Sequence, residues 1–73
     1  MGKLPIAPFE KILKENGAKR VSFSAGEALA EIAADISAEI ARNASLMAEH
    51  AGRRTIVRRD VEIARKNLRI GSQ

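Results

Sequence analysis

Apolar residues recur every three or four positions in three successive segments of the chain, which is the spacing of an amphipathic helix. The first segment runs from Ile6 to Leu13, and the Asn16-Gly17 pair that follows it is typical of a helix end. The third segment is shorter, and its apolar residues are Val61, Ala64 and Leu68. The pattern therefore predicts three helices, separated by two short connections and without an internal repeat.

The middle segment predicts one long helix. Its apolar stripe consists of Leu29, Ile32, Ile36, Ile40, Ala44 and Met47. Neither glycine nor proline interrupts this stripe before Gly52, and a helix from Ser24 to His50 would contain 27 residues and measure about 40 Å. Ser24 with Glu27 matches the capping-box pattern, whereas Ser22 is an alternative N-cap two residues earlier. The first residue of the helix therefore stays open.

A stripe of this length is difficult to cover within a chain of 73 residues. Small domains gain stability from disulfides, from a metal or from oligomerisation, but the sequence has no cysteine and only one histidine, His50. We therefore expect no metal and no cofactor, and we expect the stripe to be buried in a dimer. The predicted dimer core consists of Leu29, Ile32, Ile36 and Ile40.

The net charge of +4 is unevenly distributed. Residues 24–50 contain five acidic residues and one arginine, a net charge of −4, so the rest of the chain carries +8. The cations outside the long helix include Lys3, Lys11, Lys14, Lys19, Arg20, Arg53, Arg54, Arg58 and Arg59. Such clustered like charges favour a polyanionic partner. The absence of Tyr and Trp, on which single-strand readers stack bases, favours duplex DNA.

Other classes of function fit the sequence less well. A nucleophilic enzyme would need a triad such as Ser24, His50 and Asp60, but the first two lie at opposite ends of one helix about 40 Å long. No apolar run approaches the roughly 20 residues of a membrane span, so we expect an intracellular protein without membrane contact. A module that assembles with other proteins, with DNA incidental, stays open as an alternative.

Three stretches of the sequence resemble the archaeal histones, small proteins that consist of a histone fold with little or no tail. They are Leu4-Pro5-Ile6-Ala7-Pro8, Gly17-Ala18-Lys19-Arg20-Val21-Ser22, and His50-Ala51-Gly52-Arg53-Arg54-Thr55-Ile56 followed by Asp60. The resemblance implies one all-α histone-fold domain over residues 1–73, with its core at about 4–68 and a frayed tail at 69–73. It also implies a handshake homodimer with antiparallel long helices, in which the first connection of one chain lies beside the second connection of its partner.

The resemblance implies that the merged connections hold the backbone of chromosomal DNA without sequence preference. Arg20 resembles the family's minor-groove arginine, and Thr55 resembles its phosphate-binding threonine. The full set of implied DNA-binding residues is Lys11, Lys14, Lys19, Arg20, Arg53, Arg54, Thr55 and Arg58. Arg53 also resembles an arginine that clamps Asp60, a role that is more structural than DNA-binding.

Stacking of dimers is a further implication of the resemblance. Met47, His50 and Asp60 resemble the family's contact between dimers, which would let stacked dimers wrap and compact DNA in the nucleoid. The resemblance also allows a paralogous histone as an alternative partner. A dimer that bends DNA without stacking stays open as a second alternative.

The sequence departs from the family pattern at three places. Val57 stands where a lysine is common, and the neighbouring Arg58 is a candidate replacement for that phosphate contact. Arg65 replaces a frequently apolar residue of the third helix. Phe23-Ser24 stands where acidic residues often open the long helix. These departures leave the geometry of DNA wrapping open.

Overall fold

The computed structural model describes residues 5–68, which form three helices: α1 (Ala7–Glu15), α2 (Phe23–His50) and α3 (Arg58–Asn67). No strand occurs in this range, so the predicted all-α, three-helix arrangement is confirmed. The frayed tail predicted at 69–73 lies outside the described residues. Two compact units divide the chain within α2, one ending at Asp35 and the other beginning at Ile36. We call residues 16–22 loop 1 and residues 51–57 loop 2.

A tight backbone turn ends α1. Gly17 has a φ of 117°, in the left-handed region that favours glycine. Its N–H donates to the carbonyl of Lys14 at 3.2 Å, and the N–H of Ala18 donates to the carbonyl of Leu13 at 3.1 Å. This pair of hydrogen bonds is a Schellman motif, which satisfies the last carbonyls of a helix and redirects the chain. The helix end predicted from Asn16-Gly17 is therefore formed by Gly17.

Ser22, and not Ser24, is the N-cap of α2. The Ser22 Oγ accepts a hydrogen bond from the N–H of Ala25 at 3.1 Å, three residues later. The capping box proposed from Ser24 and Glu27 is wrong, because Ser24 already lies within the helix, where it cannot take the extended conformation of a cap. The observed helix of 28 residues begins one residue before the predicted one.

The end of α2 repeats the turn that ends α1. Gly52 has a φ of 75°, its N–H donates to the carbonyl of Glu49 at 2.9 Å, and the N–H of Arg53 donates to the carbonyl of Ala48 at 2.9 Å. A second Schellman motif therefore opens loop 2 and fixes the backbone of Arg53 directly against the last turn of α2.

A close approach joins α1 to the first half of α2. A Cβ atom added at Gly26 would lie 2.6 Å from the Cγ of Glu10 and 2.9 Å from the Cγ2 of Ile6, distances that real Cβ atoms do not tolerate. Gly26 and Ala30, one turn later, are both buried. The missing side chain at position 26 is therefore what lets α1 lie this close to α2.

The residues that a single chain buries are nearly all small. The buried apolar residues of the described range are Ala30, Ala44, Ala48 and Ala64. No large side chain in this range is fully buried. The large apolar side chains left exposed are Ile12, Phe23, Ile32, Leu46, Ile56, Val57 and Val61. One copy of the chain therefore leaves most of its potential core in water, which is costly because apolar burial is the main stabilising contribution to folding.

Candidate nucleic-acid interface

Loop 1 presents two cations from a backbone that is fixed on both sides. The Schellman turn at Gly17 precedes them, and the Ser22 cap follows them. Between these two anchors, the side chains of Lys19 and Arg20 are exposed. A short segment with fixed ends loses little conformational entropy when it binds a phosphate, so loop 1 is suited to hold an anion.

Loop 2 is closed by an ion pair between residues seven positions apart. Arg53 donates from Nη1 to Oδ2 of Asp60 and from Nη2 to Oδ1, both at 2.8 Å, in the bidentate geometry of a strong pair. Arg53 Nη1 also donates to the carbonyl of Thr55 at 2.9 Å. The N–H of Val57 donates to Asp60 Oδ2 at 2.9 Å, which caps α3 although Val57 itself has no side-chain acceptor. Asp60 thus holds the guanidinium and the helix start together.

This network shifts the ionisation of both partners. Hydrogen bonds from Arg53 and from the backbone of Val57 lower the pKa of Asp60 to about 2, against the opposing effect of desolvation. The hydrogen bond to Asp60 raises the pKa of Arg53 above its ordinary value. Asp60 is only 3% exposed, so its charge is balanced almost entirely by protein groups. Both residues therefore stay charged at neutral pH.

The two predicted roles of Arg53 are unequal in the structure. Its guanidinium already donates three hydrogen bonds within loop 2 and to Asp60, and it is half-buried. Arg54 and Thr55 are exposed and carry no side-chain hydrogen bond within residues 5–68. Arg53 therefore shapes loop 2, whereas Arg54 and Thr55 present their side chains to solvent.

The remaining predicted cations lie on exposed helix surfaces. Lys11 is 3.9 Å from Glu15, and Arg58 donates to Glu62 at 2.7 Å, both as i,i+4 pairs. Exposed pairs of this kind contribute at most about 1 kcal/mol, so a phosphate can compete for either cation. Lys14 is exposed and makes no ion pair within the described residues. All three cations are accessible to a ligand.

The residues proposed for stacking differ in exposure. His50 is exposed at the last residue of α2, and Met47 one turn earlier is half-buried. Asp60 is buried, and its two oxygens already accept three hydrogen bonds from Arg53 and Val57. A carboxylate has about four acceptor positions, so Asp60 retains little capacity for a contact outside the chain.

The predicted dimer-core residues are incompletely covered. Leu29, Ile36 and Ile40 are half-buried, and Ile32 is exposed. In the second unit an open apolar cleft lies beside Ile40, and it is lined by Ser37, Ile40, Ala41, Ala44, Ile56 and Val61. Ile56 was not among the predicted core residues. Its signal was available, since a lone isoleucine in an otherwise cationic loop indicates an apolar contact.

The described residues contain no group of His, Cys, Asp or Glu side chains that could hold a metal ion. A membrane-crossing helix is likewise not found in this range, because no helix there combines the necessary length with sufficient apolar character.

Comparison with known proteins relates these features to a family. The family model of the core histone domain matches residues 1–67. One of the subunits of the archaeal histone HAN1 of Thermococcus zilligii is 42% identical over 66 residues, which cover 90% of this chain and 98% of that protein. Probable archaeal histone 3 of Methanocaldococcus jannaschii is 47% identical over 64 residues, 88% of this chain and 96% of that protein. The chain therefore belongs to the histone family, and it is a DNA-binding protein of chromatin built on the histone fold.

Proposed function

We propose that two copies of this chain form a handshake homodimer, which binds duplex DNA through its backbone and stacks on further dimers to wrap it. The observation that carries the proposal is the combination of an uncovered apolar surface with exposed cations in the loops at both ends of α2. The first feature calls for a second copy of the chain, and the second calls for a polyanion.

The apolar surface supports dimerisation. Ile32 on α2, Ile56 in loop 2 and Val61 on α3 are each 42–53% exposed in the single chain. Burying one such side chain contributes about 1.5–3 kcal/mol, so a dimer that covers several of them on each copy gains a large part of its total stability. The name of the Thermococcus zilligii relative describes one of several subunits, and a paralogous histone is the alternative partner that the same surface would accept.

The cations support recognition of the DNA backbone. Lys19 and Arg20 in loop 1, and Arg54 with Thr55 in loop 2, are exposed on backbones that the two Schellman turns fix. In a handshake dimer, loop 1 of one copy would meet loop 2 of the other and form one basic site at each end. The exposed acidic residues of α2 would be repelled by a DNA groove, so we infer that this helix does not read base edges.

Salt dependence tests this mode of binding. If each dimer neutralises about 6 phosphates, log affinity falls against log salt concentration with a slope of about −5, at similar affinity for unrelated duplexes. Arg54→Ala is expected to make that slope shallower by about one unit. Arg42→Ala is the matched control, because Arg42 pairs with Glu39 on the acidic helix, and its slope is expected to equal that of the wild type. A slope near zero, or a strong preference for one sequence, contradicts the proposal.

Stacking is tested by nuclease digestion of the protein–DNA complex. Dimers that stack through Met47, His50 and Asp60 protect DNA in a ladder of regular steps. His50→Ala is expected to shorten the protected lengths while the dimer and its DNA binding persist, and Glu49→Ala, at the neighbouring exposed residue, is expected to leave the ladder unchanged. An unaltered ladder in His50→Ala moves the contact elsewhere. A single protected length in the wild type indicates a dimer that bends DNA without stacking.

A further inference from the structure

Phe23 is an unusual side chain for its position. It is one of only two aromatic residues in the chain, and at 64% exposure it is the most exposed large apolar side chain among residues 5–68. It is also the first residue of α2, directly after loop 1. An aromatic ring gains stability from burial, so this exposure indicates a surface that a partner covers.

The backbone around Phe23 directs its side chain toward loop 1. The Ser22 cap fixes Phe23 as the first helical residue. Side chains on a helix lean toward its N-terminus, so a ring at the first position overhangs the preceding loop and not the next turn. The exposed side chains of that loop include Lys19 and Arg20. An apolar ring therefore stands at the edge of a cationic surface.

The apolar stripe of α2 does not account for Phe23. At 100° per residue, Phe23 lies about 100–180° around the helix axis from Ile32, Ile36 and Ile40. A second copy that covers this stripe approaches from a different side of the helix. The residue on the same face one turn after Phe23 is Glu27, which is exposed. The ring thus lies on the solvent-facing side of α2, beside cations and away from the dimer core.

We propose that Phe23 is a DNA contact, whose ring enters the minor groove beside Arg20 and wedges against a base step. This inference rests on the proposed function and adds a contact that charge alone does not supply. Apolar side chains that enter the minor groove unstack a base step in part and kink the duplex. Steps that deform easily, such as TA and CA/TG, should accept the ring most readily, which would give the protein a weak preference for where it sits on DNA.

The test uses the full-length protein, with Phe23→Ser to remove the ring and Phe23→Leu as the matched apolar control. Duplexes carry 2-aminopurine, whose fluorescence rises on unstacking, at a TA step or within an A-tract. The wild type is expected to raise the fluorescence at the TA step more than in the A-tract. Phe23→Ser is expected to lose that rise and about tenfold in affinity, while its salt slope stays unchanged because no charge has been removed. Phe23→Leu is expected to retain most of both effects.

Each remaining outcome overturns the inference. If Phe23→Ser binds and unstacks DNA like the wild type, the ring does not touch DNA. If Phe23→Ser binds DNA normally but melts at a lower temperature that depends on protein concentration, the ring belongs to a contact between chains. Failure of the wild type itself to bind duplex DNA would refute the proposed function, and it is distinguished from both outcomes because it precedes any comparison of variants.

Discussion

Loop 1 and loop 2 begin with the same backbone turn, a glycine in the left-handed region that ends the preceding helix, but they are held at their far ends by different chemistry. Loop 1 ends at a neutral, local hydrogen bond from the N–H of Ala25 to Ser22. Loop 2 ends at a charged pair in which buried Asp60 holds both Arg53 and the first turn of α3. Two loops with the same proposed role can therefore respond differently to mutation and to pH.

The difference follows from what each loop connects. Loop 1 leads into a long helix that packs against α1 through Gly26, so a single cap is sufficient to define its start. Loop 2 leads into α3, a helix of ten residues that is too short to be stable by propensity alone. The ion pair ties this helix to the backbone that leaves α2. Loop 2 should therefore be the more sensitive of the two to loss of its anchor.

The largest expected effect removes the structure that supports both loops. Ile36→Asp places a charge on the half-buried stripe of α2, where the proposed dimer would leave it without a partner. We expect this variant to be unfolded at micromolar concentration, measured as loss of helical circular dichroism and of dimer mass in sedimentation. Ala38→Asp is the matched control, because it adds the same charge at an exposed position of the same helix, and it is expected to fold.

Dilution provides an independent check on that prediction. An obligate dimer has an unfolding temperature that rises with protein concentration. If the unfolding temperature of the wild type stays constant over a hundredfold dilution and the mass is that of a monomer, the dimer proposal is refuted.

The anchor of loop 2 should give the next largest effect. Asp60→Asn keeps the size of the side chain but removes the charge that pairs with half-buried Arg53. We expect Tm to fall by roughly 10 °C, since breaking a buried pair leaves the remaining charge uncompensated. The control is Glu62→Gln, which removes the exposed partner of Arg58 and should shift Tm by less than about 3 °C. Equal shifts in the two variants would show that the Asp60 pair has no special role.

The same anchor makes a prediction about pH. Because the pKa of Asp60 is lowered from 3.8 to about 2 on folding, its stabilising contribution is present above pH 4 and is lost as the pH falls toward 2. Asp60→Asn lacks this titration. The difference in Tm between wild type and variant should therefore be constant from pH 7 to about pH 5 and should shrink between pH 4 and pH 2. A difference that stays constant down to pH 2 contradicts the assignment.

The anchor of loop 1 should give the smallest of these effects. Ser22→Ala removes the N-cap of α2, which typically costs about 1 kcal/mol and corresponds to a Tm lower by roughly 4 °C. Ser24→Ala is the matched control, because Ser24 lies inside the helix and alanine is the better helix former. Its Tm should be unchanged or slightly higher. The reverse order of the two variants would show that the helix begins at Ser24 in solution.

The sequence by itself determined the three helices and the ends of two of them. Periodic apolar residues located each helix, and Gly17 and Gly52 marked the ends of α1 and α2, because only glycine adopts the left-handed conformation of these turns without strain. The family resemblance also suggested the pairing of Arg53 with Asp60, which the structure contains. These features depend on local conformation or on short motifs that a sequence displays directly.

Only the tertiary structure decided which of several equally plausible local arrangements forms. Ser22 and Ser24 are both good caps by sequence, and the choice between them depends on where the helix begins relative to its hydrogen-bond donors. The burial of Asp60, and the use of the Arg53 guanidinium inside loop 2, follow from atoms that approach across a turn. Exposure has the same origin: Phe23 and Ile56 are apolar like any core residue, and only packing shows that a single chain leaves them uncovered.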